Sequence, residues 1–238
     1  MLHRSLDETP QIESITGRNM EKEIDLMINY PHSKRDVKQR GAEKTEADRA
    51  IARQFGKEFF DGERRHGYGG FSYNPRFWHP VVPTFQEFYK LSLESSLLDV
   101  GCAKGFMLND FVKLIPGLKV QGVDVSEYAI EHSLDSVSRH LQVADVRELP
   151  FEDSSFDLVI SINTVHNLEQ AELIKALKEI QRVSRKNVFI TVDAYRSEEE
   201  KEAMFAWNLT AKTILSVNEW KELFREAGYQ GDYYWFVP

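Results

Sequence analysis

The residues best placed to do chemistry sit in one short run, Asp99-Val100-Gly101-Cys102-Ala103-Lys104-Gly105, which follows a strand-like stretch and precedes a helix-like one. A strand that turns into a helix on small residues exposes backbone N–H groups and lets a ligand approach the main chain closely. Asp124 follows Gly105 by 19 residues and ends a second strand-like stretch, near the spacing at which an acid reaches a ribose in doubly wound folds. Two strand ends thus converge on one crevice suited to a nucleoside. A dinucleotide would call for G-x-G-x-x-G, whereas Gly101, Ala103 and Gly105 are spaced as G-x-A-x-G with no glycine at the helix-packing position.

Those residues need a scaffold, and the chain from Ser96 onward supplies one. Strand-like segments at 97–102, 119–125, 141–146, 156–162 and 187–193 alternate with helix-like segments near 105–115, 126–139 and 169–183. That alternation is the signature of a parallel sheet with crossover helices. A helix opening at Ser197, another over VNEWKELFREAGY and a final aromatic strand at 233–237 follow. The expected fold is α/β, Rossmann-like and doubly wound, with a mostly parallel six- or seven-stranded sheet and an N-terminal helical and lid extension. The domains expected are a flexible arm over 1–42, a helix and aromatic lid over 43–89, and the cofactor-binding unit over 90–238.

The glycine turn resembles motif I of the class I S-adenosylmethionine-dependent methyltransferases, D-x-G-x-G-x-G, with Ala103 in place of the middle glycine. GVDVS at 122–126 resembles the second motif, and ADVRELPFEDSSFDLVIS at 144–161 resembles the third strand exit and the fourth strand of that family. The resemblance covers roughly residues 90–237. It implies S-adenosyl-L-methionine as cofactor, held by Asp99, Gly101, Cys102 and Gly105 of the turn, by Asp124 and Val125, by Asp145 and Val146 at the adenine, and by Asn163. The methyl at Ala103 is tolerated if that residue has ordinary dihedrals. The family's terminal antiparallel hairpin has only one evident strand here, with Leu209–Val217 the candidate for its partner.

The methylating end follows from the same resemblance. The N-P-P-Y/F signature of amino-group methylases is not present, since Asn163 alone matches it. His166 suits a general base, because a neutral imidazole can take a proton as the methyl arrives; it equally suits a histidine hydrogen-bonded to backbone at a strand exit. Asp193 and Tyr195, at the end of the fifth strand, suit substrate orientation, with helix capping by Asp193 or Ser197 the structural alternative. Asn208 and Thr210 are weaker candidates for the same wall. Before the sheet, Ala47, Ile51, Phe55 and Phe59 recur every four residues as one amphipathic helix over 43–60. The loop at 66–83 then gathers Tyr68, Phe71, Tyr73, Phe77 and Trp78 with Gly67, Gly69 and Gly70, and adds His66 and His79. Such a segment suits a lid in which Tyr68 and His79 face substrate, with core packing as the alternative.

Composition narrows the partners. A net charge of −8 argues against a phosphate backbone, and the local basic group Lys34, Arg35, Lys38 and Arg40 reads as a solvated segment. Apolar runs reach strand length only, so no membrane span is expected, and the N-terminus lacks a secretory pattern. One cysteine, Cys102, and unclustered histidines point away from disulfides and a bound metal. The expected activity is methyl transfer to an O, N or C atom of a small molecule in the cytoplasm, with a homodimer among the assemblies left open. A non-methylating enzyme or cofactor-binding protein on the same scaffold is the alternative, and an RNA or protein methylase stands behind both.

Overall fold

The computed structural model describes residues 22–31, 44–69 and 72–237. The basic group at 34–40 and the pair Gly70 and Phe71 lie outside the described residues. Seven strands, β1 (Ser96–Val100), β2 (Lys119–Asp124), β3 (Leu141–Val143), β4 (Phe156–Ile162), β5 (Ser184–Tyr195), β6 (Leu215–Ser216) and β7 (Asp232–Phe236), form one sheet. The order β3-β2-β1-β4-β5-β6, with β7 also on β5, places the reversal of winding between β1 and β4. In an open α/β sheet ligands bind outside the carboxyl ends of the strands at that reversal, so the glycine turn after β1 lies where chemistry is expected.

Alternation along the strands builds two cores. Leu98 and Val100 of β1, Val159 of β4, and Val188, Ile190 and Val192 of β5 face one side, under α7 (Gln170–Val183) and α9 (Val217–Ala227). Leu97, Leu158, Ile160 and Phe189 face the other, under α4 (Val82–Tyr89) and α5 (Phe106–Leu114). A sheet buried on both faces explains why these strands read as continuous apolar runs. Every strand pair among the described residues is parallel, β7 on β5 included. Within the stretch proposed as an antiparallel partner, Leu215–Ser216 instead pairs in parallel with Ala194–Tyr195.

The N-terminal part departs from expectation twice. The single helix over 43–60 is two, α1 (Glu46–Ala52) and α2 (Lys57–Asp61), with Phe55 between them in the left-handed region at φ 49°. A strict four-residue repeat drifts about 40° per step on a helix of 3.6 residues per turn, so a stripe from Ala47 to Phe59 spirals off one face unless the helix breaks. Thr45 caps α1 through a reciprocal capping box with Asp48, and Gly56 opens α2. After a 3₁₀ turn at Arg64–His66, the short helix α3 (Pro75–Trp78) leads into α4.

The second departure concerns the flexible arm. Its described part, 22–31, is docked: Tyr233 N–H donates to the Lys22 carbonyl and Ile24 N–H to the Tyr233 carbonyl, extending the β7 edge. Leu26 is 2% exposed within the second core, and Tyr30 packs on Phe77 and Trp78. Leu26→Ala should therefore cost about 2–4 kcal/mol, as for other buried leucines; chemical denaturation measures it, and a cost near zero would restore the loose arm.

Candidate active site

The turn after β1 is held from β2. Gly101 N–H and Cys102 N–H both donate to the Val123 carbonyl, at 2.7 and 3.0 Å. Gly101 has φ +84°, and a Cβ there would lie 2.1 Å from the Thr164 hydroxyl oxygen, so conformation and space both require glycine. The condition of ordinary dihedrals is not met at Ala103: φ is 49°, a left-handed conformation that costs a residue with a Cβ about 1 kcal/mol. Its N–H donates to Asp124 Oδ2 at 2.8 Å, while Ser126 N–H donates to Asp124 Oδ1 at 2.9 Å. Leu134 N–H donates to the Lys104 carbonyl, and Gly105, φ +75°, opens α5.

Two carboxylates meet beneath this turn. Burial, with the Asp124 charge beside it, pushes the Asp99 carboxyl up to about 7. Burial also raises Asp124, against the backbone N–H bonds from Ser126 and Ala103 that favour its charged form. The Cys102 thiol is pushed well up by burial and by both acids, so it is not a nucleophile.

The donor set suits the expected cofactor in part. Each Asp124 oxygen keeps an acceptor site beyond its one backbone bond, enough for a ribose hydroxyl, and Val125 beside it is 57% exposed at the strand tip. Asp145 already has a partner. Arg147, two residues on, holds both its oxygens through backbone and guanidinium N–H groups and keeps its carboxyl below the usual range. Val146 is half-buried against the core. Asn163, at the exit of β4, is left-handed at φ 51°, and its Oδ1 accepts from the Thr191 hydroxyl at 2.8 Å. A strained non-glycine residue at the mouth of such a crevice is a feature of functional sites.

Three of the five residues expected at the methylating end come together. His166, 2% exposed, accepts through Nδ1 from Asp193 N–H at 2.9 Å, and its carbonyl accepts from Lys212 and Thr213 N–H. The proton therefore sits on Nε2, and burial lowers the imidazole's basicity although Asp193 opposes this. The structure thus gives His166 the backbone-bonded role rather than that of an exposed base. Asp193 is buried and accepts from Asn208 Nδ2 at 2.6 Å; Ser197, not Asp193, caps the next helix, α8 (Glu198–Trp207). The Tyr68 hydroxyl accepts from Leu209 N–H at 2.9 Å and lies 3.4 Å from Thr210 Oγ1; burial, then Asp193, pushes it up to about 12.

His79 and Tyr195 do not join this cluster. The His79 side chain is 52% exposed and sits 3.9 Å from Asp110 on α5, beside the Tyr73 hydroxyl that donates to the same carboxylate. Neither His79 nor Tyr73 contacts the His166 group. The Tyr195 hydroxyl donates to Glu219 in the first turn of α9, and the Lys201 ammonium lies over its ring. Residues passed over in the sequence prove central instead. Lys104 is buried and its ammonium meets both oxygens of Asp61, each at 2.6 Å; Ser126 donates to the Phe55 carbonyl. The signal for Lys104 was its place inside the glycine turn; Asp61 reads in sequence only as a helix end. Among the described residues, no group of three or more His, Cys, Asp or Glu side chains is placed to hold a metal, and no helix is long and apolar enough to cross a membrane.

Residues 98–192 match a methyltransferase domain family. The match runs from β1 into β5, and the mostly parallel seven-stranded sheet with helices on both faces is α/β and Rossmann-like. Among curated relatives, a malonyl-[acyl-carrier protein] O-methyltransferase of Legionella pneumophila is 27% identical over 131 residues, 53% of this chain and 45% of that protein. A tRNA (carboxymethyluridine(34)-5-O)-methyltransferase of Arabidopsis thaliana is 31% identical over 145 residues, 59% of this chain and 33% of its own. The chain thus spans half or less of the length of these two relatives. Among solved structures, the [4+2]-cyclase SpnF shares the fold at a TM-score of 0.53 and 21% identity, covering 67% of this chain and 60% of that one.

Two outcomes test this geometry. Gly101→Ala should destabilise the fold by at least about 2 kcal/mol, since strain and a clash with Thr164 add; thermal unfolding reads it. Because the folded Asp99 carboxyl lies near 7 and its ordinary value is 3.8, its contribution to stability is full below pH 4 and is lost as pH rises towards 7. Asp99→Asn should therefore flatten the fall in stability between pH 4 and 7 by about 2–4 kcal/mol, measured by denaturation across pH; an unchanged slope refutes the assignment.

Proposed function

We propose that this chain transfers the methyl group of S-adenosyl-L-methionine to an O, N or C atom of a small molecule. The observation that carries the reading is the span of residues 44–69 across the carboxyl ends of the strands. At one end Phe55 and Asp61 meet Ser126, Tyr128 and Lys104 beyond β1 and β2. At the other, Arg49 and Tyr68 bond to the Phe205 and Asn208 carbonyls and to Leu209 N–H beyond β5. A crevice bridged in this way suits an enclosed small substrate better than a polymer, and the net charge of −8 argues the same against nucleic acid. We place the enzyme in the cytoplasm on the same reading.

When bound, the cofactor supplies an electrophilic methyl on a sulfonium. The chain's own part is to hold and exclude. Asp124 would accept from the ribose hydroxyls, and the backbone at Gly101, Cys102 and Gly105 would face the methionine end, as the family resemblance implies. His166, with Nδ1 engaged, positions the exit of β4 rather than taking a proton, and Tyr68 stays neutral at working pH. Transfer would then rest on alignment of the nucleophile with the methyl. The lack of an exposed base in this group also favours a second reading, in which the cofactor serves a reaction other than methylation.

Isothermal titration with S-adenosylhomocysteine should show binding that Asp124→Ala weakens by about 1–3 kcal/mol, the cost of unpaired buried partners. Unchanged affinity in the folded variant refutes the ribose assignment. Transfer of labelled methyl to a small-molecule panel supports the first reading. Cofactor binding with no transfer to any acceptor points to the second, and tight salt-sensitive tRNA binding overturns the substrate class.

A further inference from the structure

We infer that Asp61 and Lys104 are a positioning pair that clamps residues 44–69 onto the cofactor turn and governs how long the cofactor stays; this rests on the cofactor reading above. Lys104 lies inside the turn itself, between Ala103 and Gly105, both left-handed. Its backbone is fixed on either side, by Ala103 N–H on Asp124 and by Leu134 N–H on its own carbonyl. Its side chain leaves the sheet and reaches the last residue of α2, where the ammonium sits 2.6 Å from each oxygen of Asp61. The Lys104 side chain is 9% exposed and that of Asp61 27%, so this is not a solvated surface pair.

Pairing makes the contact conditional on closure. A charge as buried as Lys104 is costly unless compensated, so losing the Asp61 carboxylate removes the counter-charge that both short contacts supply. Tyr128 donates to Asp61 Oδ2 at 2.8 Å, and its ring lies 6.0 Å from the Lys104 ammonium, closing a three-member group. Ser126, whose N–H is bonded to Asp124, donates its hydroxyl to the Phe55 carbonyl at the break between α1 and α2. The ribose acid and the turn are thus each one bond removed from the same bridging segment. Among the described residues no comparably buried ion pair ties this segment to the sheet: its other links to the body include the Ser126 bond to Phe55, the Tyr128 bond to Asp61, and bonds of Lys44, Arg49 and Tyr68 in the 205–210 region. Opening the segment at its α2 end therefore breaks the ion pair, and with it a tie to the backbone that would face the cofactor.

The test uses the full chain and S-adenosylhomocysteine as probe, with dissociation followed by stopped-flow displacement and melting temperature recorded alongside. Asp61→Asn and Lys104→Met should each speed dissociation about tenfold, a change carried in the off-rate as is usual for interface losses. In turnover, the KM for S-adenosylmethionine should rise more than kcat falls. Asp61→Glu, which keeps the charge, should recover most of the wild-type residence time. Tyr128→Phe, which removes one neutral bond at a partly exposed site, should give a two- to threefold change and keeps the test open if the charge variants do not fold. Variants that melt lower but release the probe at the wild-type rate reduce the pair to packing and overturn the inference alone. A wild-type chain that binds no probe overturns the cofactor reading with it.

Discussion

The carboxylate of Asp124 is the constraint on which the crevice depends. One oxygen fixes Ala103 N–H across from the neighbouring strand and the other fixes Ser126 N–H two residues ahead. Ala103 sits left-handed, at a cost, between two glycines that are also left-handed, and such a turn persists only where its surroundings over-determine it. Asp124, together with the Val123 carbonyl that takes Gly101 and Cys102 N–H, supplies that determination. Burial first, and the Asp124 charge second, push the Asp99 carboxyl beneath the turn up to about 7. Order in the turn is thus obtained at the expense of two acids in low-dielectric surroundings, an arrangement that a ligand bearing hydroxyls and positive charge would relieve.

Much of this was legible because the sheet is regular. Strands buried on both faces must read as apolar runs, and the turn between a strand and its crossover helix must carry small residues, so β1, β2, β4 and β5 were visible within a few residues. Asp124 stood out by spacing alone. The short strands β3 and β6 were harder: three and two residues make too little pattern to bound, and β6 is set by its pairing with the end of β5. The direction of β7 depends on which strand it meets, which no local pattern records.

The N-terminal part was legible as amphipathic and illegible as geometry. A stripe at Ala47, Ile51, Phe55 and Phe59 is consistent with one helix or with two joined at Phe55, and the choice is made by Ser126, which takes the Phe55 carbonyl from the far side of the crevice. Residues 1–42 are polar for the most part, yet the described part, 22–31, carries Ile24, Leu26, Met27, Ile28 and Tyr30, with Leu26 buried and the backbone paired with β7. Polar composition marks a segment that cannot build its own core; it does not exclude one that borrows a core already formed.

Candidate chemistry divides in the same way. His166, Asp193, Asn208, Thr210 and Tyr68 are residue types that serve equally as acids and bases or as the fasteners of irregular backbone. Here the second use is the one their bonds display. Asn208 accepts from Ala211 N–H and donates to Asp193; His166 receives Asp193 N–H and offers its carbonyl to Lys212 and Thr213. Together these bonds join the irregular stretch after α8 to the exits of β4 and β5, and a buried polar network that is well satisfied fixes one arrangement of the chain. The wall of the crevice beyond β4 and β5 is therefore held in one arrangement, while the glycine turn at β1 is braced by Asp124 and by the segment that crosses above.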